Sequence, residues 1–167
     1  MINITLKDGS VKQYSEETSV ISIANDISKG LARNIISANF NDKVVEVNSM
    51  INEDGKLEFY TWDNDEGKNA FWHSSSHVMA QSIQELFPGV KLTIGPAINS
   101  GFYYDVDLGS HKISESDFDK IESRMLEICR EKHDFNLRPV SKKEAIKFYK
   151  EEDLSLIHIS EPTRLLA

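Results

Sequence analysis

The sequence holds a single cysteine, Cys129, among 167 residues, so no internal disulfide can brace the fold. It also lacks any apolar run near the roughly 18–20 residues that a membrane-spanning helix needs. Met1 leads directly into an alternating pattern and not into a basic and apolar targeting signal. A cytoplasmic protein with no membrane partner is expected. Nor is there an excess of positive charge: 19 Lys and Arg against 27 Asp and Glu leave a formal charge of −8. That balance excludes a general nucleic-acid binder built from these residues alone, because phosphate contacts need clustered cations. It does not exclude a piece of a larger protein whose basic surfaces lie elsewhere. Internal repeats and low-complexity tracts are absent as well.

What is present is an ordinary globular composition, 40% hydrophobic and 28% charged. The length suits one domain or two small ones. In the first sixty residues Ile2, Ile4 and Leu6 alternate with polar residues, Asp8-Gly9 supplies a turn, and Val11 to Tyr14 completes a hairpin. Thr18 or Ser19 then caps a helix with Val20, Ile23, Ala24 and Ile27 at helical spacing, and Gly30 stands where a stop is expected. Strands are predicted over 35–40, 43–47 and 57–62, with Asn41-Asp42 and Asp54-Gly55 as turns. The order β-β-α-β-β-β is a grasp-like roll.

The polar stretch Asp63 to Lys68 places a domain boundary after residue 62. A long helix follows, from Gly67 or Lys68 to Phe87, ended by Pro88-Gly89. Phe71, Val78, Met79 and Leu86 are predicted to form its apolar stripe, with His73, His77, Ala80 and Gln84 on the other side. Two strands come next, 90–94 and 101–106, joined by a turn-rich connection. Ser114 opens a helix carrying Phe118, Ile121, Met125 and Ile128 to about His133, in which Cys129 reads as a small buried hydrophobe. A strand over 135–140 and a short helix capped by Ser141 and Glu144, ending at Tyr149, complete the pattern. The class is α+β throughout.

One constellation carries chemistry. His73 and His77 are four apart, so a helix sets both imidazoles on one face, within reach of a common water or substrate. From spacing alone, a purely structural pair of histidines is the simpler reading. A zinc site would need a third ligand, and the Glu of an H-E-x-x-H metalloprotease is replaced by Ser74. Cys129, His111 and His133 are available, but nothing in their spacing requires a metal, and none is expected. Gly95-Pro96 and Gly101-Phe102-Tyr103-Tyr104-Asp105 form a second feature, in which glycines allow close backbone approach and tyrosines supply a wall. A tight hairpin with core aromatics explains it equally simply. Asp105 and Asp107, two apart on a strand, read as a solvated strand end.

Three segments carry a family resemblance. Asn3-Ile4-Thr5-Leu6-Lys7-Asp8-Gly9-Ser10 resembles the opening of the ubiquitin-like TGS domain of threonyl-tRNA synthetases. His73-Ser74-Ser75-Ser76-His77-Val78-Met79-Ala80 is similar to the first motif of their editing domain, and the stretch from Ile94 to Asp107 is similar to its next signature. The resemblance covers about residues 1–154, in family order. It implies a TGS domain over 1–62 and a truncated α+β editing domain over 63–154, from a class II ligase that joins threonine to its tRNA with ATP. The editing domain would hydrolyse mischarged seryl-tRNA, His73 and His77 would be its catalytic pair with His73 the base, and Gly95, Tyr103, Tyr104 and Asp105 would shape the substrate pocket.

The same resemblance marks what is missing. The family's editing lysine and its Asp-x-Cys-x-Gly-Pro-His segment do not occur here, nor do the core that takes ATP with magnesium and zinc. The chain is therefore expected to hold no cofactor, to be inactive alone, and to meet tRNA and a homodimer partner only as part of the parent. From Leu154 onward the sequence leaves the family pattern and resembles translated adapter sequence; residues 155–167, His158 included, are set aside as a non-native tail. Two other readings are open: a TGS-type RNA or ribosome binding module without catalysis, and a metal-dependent hydrolase of the alanyl editing type.

Overall fold

A computed structural model describes residues 1–133, 137–151 and 164–166. The chain divides into two compact units, Met1–Trp72 and His73–Ala167.

The first unit is built on β1 (Ile2–Leu6), whose inward residues Ile2 and Ile4 are buried as the alternation requires. Asp8 shapes the turn to β2 (Val11–Tyr14): its carboxylate accepts from the Ser10 backbone and hydroxyl, and Gly9 takes φ 83°. These bonds hold the Asp8 carboxyl below its usual value, with the hydroxyl bond foremost. A two-residue strand, β3 (Thr18–Ser19), leads into α1 (Val20–Ile27), capped by the Ser19 hydroxyl. The stop expected at Gly30 falls elsewhere. The chain breaks at Ser28, whose own hydroxyl caps a second helix, α2 (Lys29–Asn34), and Gly30 lies within it. A serine that can bond its own i+2 and i+3 amides outcompetes a glycine that only permits a turn.

The rest of the unit is β4 (Ser37–Phe40), β5 (Lys43–Val45), β6 (Met50–Ile51) and β7 (Gly55–Tyr60). Asn41 and Asp42, at φ 48° and 63°, make the tight β4–β5 turn. The main sheet runs β2-β1-β7-β4-β5, with β1 and β7 parallel and its other pairs antiparallel. Asp54 links β1 to the approach of β7 by accepting from the Asn3 backbone and side-chain amides. β3 and β6 pair as a separate ladder too short to read from sequence. The core is Ile2, Ile4, Val20, Ile23, Ala38, Phe40, Ile51 and Leu57.

Helix α3 (Asp65–Leu86) begins in this unit. Trp62, Phe71 and Trp72 meet edge to face at 5.1–5.4 Å, and the bare backbone of Gly67 lies against the Thr61 carbonyl, where a Cβ would come within 2.0 Å. Residues 65–72 are thereby tied to the roll, and the compact units part at Trp72/His73, ten residues beyond the composition change near residue 62.

In the second unit, β8 (Lys91–Ile94) pairs with β11 (Asp105–Asp107), and β9 (Ala97–Ile98) pairs with β10 (Gly101–Phe102) around the turn Asn99-Ser100. The two strands expected here are thus four, a hairpin interrupted at Gly95-Pro96 and Tyr103-Tyr104. A register shift between Asp105 and Val106 leaves Thr93 as the extra residue, and its hydroxyl bonds the Asp105 carbonyl. Helix α4 (Glu115–Glu131) starts where Asp117 accepts from the Ser114 backbone and hydroxyl. β12 (Leu137–Pro139) falls within the strand expected over 135–140, and residues 134–136 lie outside the description. Ser141 and Glu144 exchange the expected capping bonds at α5 (Lys142–Glu151). In the tail, β13 (Arg164–Leu166) pairs with β12, although that segment was set aside as non-native; residues 152–163, with His158, are outside the description.

The core of this unit gathers Ile83, Val90 and Ile121 with Met79, Phe87, Leu92, Val106 and Met125. Two expectations fail here, the first in part. Of the predicted stripe Met79 does pack against the core, but Phe71 and Leu86 are exposed, whereas Ser76, Ala80 and Ser82 are buried, so α3 packs through its small residues together with Met79 and Ile83. Cys129 is exposed, because Ile121 and Ile128 define the buried line of α4 and Cys129 lies past its edge.

Ile4 is fully buried, so Ile4→Ala is expected to lower the stability of the first unit by about 2–5 kcal/mol in urea unfolding. Among the described residues the first unit has the larger buried cluster, eight residues against three. Limited proteolysis is therefore expected to cut beyond residue 73 first; equal resistance of both units would contradict this.

Candidate functional site

The helical rise brings His73 and His77 together as the four-residue spacing requires. Their Nε2 atoms are 3.2 Å apart and the rings are nearly perpendicular, with centroids 4.7 Å apart. At that distance one Nε2 can donate a hydrogen to the lone pair of the other, with the roles set by the tautomer of each ring. His73 is exposed and His77 half-buried. Burial first, and the neighbouring His73 second, push the His77 imidazole below its ordinary 6.5. His77 is thereby favoured in its neutral form near pH 7.

Ser76 connects this pair to the second sequence feature. Its side chain is fully buried, and its hydroxyl lies 2.7 Å from the His73 carbonyl and 2.9 Å from that of Gly95. Gly95 is in turn covered by the Tyr104 ring, whose Cδ2 would lie 2.0 Å from an added Cβ. Only glycine allows that approach. The fold thus assembles His73, His77, Gly95 and Tyr104 from motifs about twenty residues apart. Tyr103, 48% exposed, and the exposed Asp105 are not joined to the histidine pair by any hydrogen bond among the described residues.

Spacing alone did not single out Ser76. The signal was there, since Ser76, Ala80 and Ile83 recur at i, i+4 and i+7, but a serine does not register in a search for apolar stripes. The other candidate ligands are dispersed: His111 Nε2 meets the Pro88 carbonyl, His133 Nε2 meets Glu131, and Cys129 lies on α4. Among the described residues no group of three or more His, Cys, Asp or Glu is placed to hold a metal ion, and no helix is long and apolar enough to cross a membrane.

Comparison with known proteins defines the class first: residues 2–61 match the TGS domain family, a ubiquitin-like β-grasp, in agreement with the parallel β1–β7 pair. Beyond that domain the similarity continues. The chain is 55% identical over 160 residues to a threonine–tRNA ligase of Flavobacterium psychrophilum, which takes in 96% of this chain and 25% of the relative. A threonine–tRNA ligase of Flavobacterium johnsoniae is 56% identical over 90% of this chain and 23% of its own length, and one of Caldanaerobacter subterraneus is 46% identical over similar shares. Beyond its TGS domain the chain is thus similar to the N-terminal portion of threonine–tRNA ligases, and it spans about a quarter of the length of the curated relatives it matches.

Folding lowers the proton affinity of His77, so the unfolded chain takes up that proton first as pH falls. Stability contributed by the neutral imidazole is intact above about 6.5 and is lost as pH falls through the lower folded-state value. Urea unfolding of the second unit between pH 7.5 and 5.5 should show this decline, and His77→Asn should flatten it. Gly95→Ala should displace the Tyr104 ring and cost roughly 1–3 kcal/mol by the same measurement.

Proposed function

We propose that this chain is the front part of a threonyl-tRNA synthetase, in which a TGS domain precedes the opening half of a site that hydrolyses seryl-tRNA charged in error. The observation that carries the reading is the imidazole pair fastened through Ser76 to the Gly95–Tyr104 neck. Serine differs from threonine by one methyl, worth only about 1–3 kcal/mol in an apolar pocket, so a second, hydrolytic sieve is needed. His73, the more exposed ring, takes the proton of the attacking water. His77 holds the tautomer of its neighbour and orients the terminal adenosine, while Gly95, Tyr103, Tyr104 and Asp105 shape the wall.

On this reading the lysine and cysteine–histidine segment that complete the site, and the core that uses ATP, magnesium and zinc, lie in the remaining three quarters of the parent. So do its homodimer contacts. The chain works in the cytoplasm with tRNA as its partner and does not hydrolyse the ester alone. A second reading, favoured by the TGS match at residues 2–61, is a docking module for RNA or the ribosome; binding by the whole chain but not by a form deleted of residues 1–62 would support it.

The test joins residues 1–150 to the continuation of the Flavobacterium psychrophilum relative and follows hydrolysis of seryl-tRNA. The chimaera should hydrolyse the ester, His73→Ala should slow it by about 100-fold or more, and threonyl-tRNA should survive. Hydrolysis indifferent to His73 would overturn the assignment.

A further inference from the structure

Ser76 stands at a junction that the imidazole chemistry leaves unexplained. A serine inside a helix commonly turns its hydroxyl back to a carbonyl of the preceding turn, and Ser76 does so toward His73 at 2.7 Å. It also reaches out of the helix, 19 residues along the chain, to the Gly95 carbonyl at 2.9 Å. One proton serves both acceptors. The Tyr104 ring lies against the α-carbon of Gly95, so this peptide is held by α3 at its carbonyl and by the hairpin at its α-carbon. His73 precedes Ser76 by one helical turn and His77 follows it directly. One buried hydroxyl therefore fastens the helical turn that carries the imidazole pair to the hairpin neck.

We propose that Ser76 is a positioning residue, whose hydroxyl sets the hairpin neck against the imidazole pair so that an ester held at the neck meets His73 and its water in line. The proposal rests on the hydrolytic reading above, although the clamp itself can be observed without catalysis. Ser82 provides the internal comparison. It is also fully buried on α3 and its hydroxyl bonds a distant carbonyl, that of Ile121 at 3.0 Å, but it serves α4 and not the neck.

The experiment records proton–carbon NMR spectra of the whole chain with Ser76, with Ser76→Ala, with Ser76→Cys and with Ser82→Ala. Gly95 Hα lies under the Tyr104 ring current, so Ser76→Ala should shift that signal and those of both imidazoles, Ser76→Cys should restore part of the change, and Ser82→Ala should leave all three in place. Unmoved signals in Ser76→Ala, or equal movement in Ser82→Ala, would overturn the clamp. In the chimaera, Ser76→Ala should lower kcat by roughly tenfold to a hundredfold with KM nearly unchanged, as misplacement of a reacting group does. An unchanged kcat would overturn the catalytic part. A chimaera that hydrolyses nothing even with Ser76 overturns both the hydrolytic reading and the catalytic part, and the NMR comparison still decides the clamp.

Discussion

Close approach at small residues is the constraint on which helix α3 depends. Gly67 lets the Thr61 carbonyl touch the helix at its start, and Ser76 and Ala80 present almost no side chain where the helix is buried. A backbone at such short range can be held by directed bonds: the Ser76 hydroxyl reaches Gly95, and the Ser82 hydroxyl reaches Ile121. Larger side chains would widen the gaps and break those bonds, since packed interiors leave no slack of a methyl group or more. Phe71 and Leu86 are left outside for the same reason.

The histidine pair draws its properties from that geometry. Exposed imidazoles four apart on a free helix would each titrate much as in water. Here burial and the neighbouring ring both disfavour a charged His77, and across the 3.2 Å contact the tautomer of each ring sets which one donates. Exposed ion pairs such as Lys12 with Asp26 contribute little to stability. The Arg124 network with Glu85, Glu127 and Glu131 serves instead to join α4 to the end of α3.

Similarity to the N-terminal quarter of threonine–tRNA ligases and the β-grasp of residues 2–61 bear on the same chain in different ways. The grasp is self-sufficient, with β1 central beside β7 and its own apolar core. The second unit leaves Phe118, Leu126 and Cys129 on one exposed side of α4. In the relatives, three quarters of the chain lies beyond the matched portion.

Most of the first unit was legible in the residues, because period-2 alternation at Ile2, Ile4 and Leu6, the Asp8-Gly9 and Asn41-Asp42 turns and the Ser19 cap are local signals. The break at Ser28 was not, since Ser28 and Gly30 lie two residues apart and only folding shows that the Ser28 hydroxyl reaches the amides of Gly30 and Leu31. In the second unit, spacing placed His73 and His77 on one helix, and glycine and tyrosine content marked the hairpin. Neither showed that the two belonged together. That depended on a bond between residues nineteen apart and on a ring lying over a glycine. Sequence alone determined the longer elements and the placing of the two imidazoles on one helix face, because both follow from repeats within one or two turns of chain. Only the tertiary structure decided which face of α3 is buried and what the histidines confront, because those depend on how near two backbones can come.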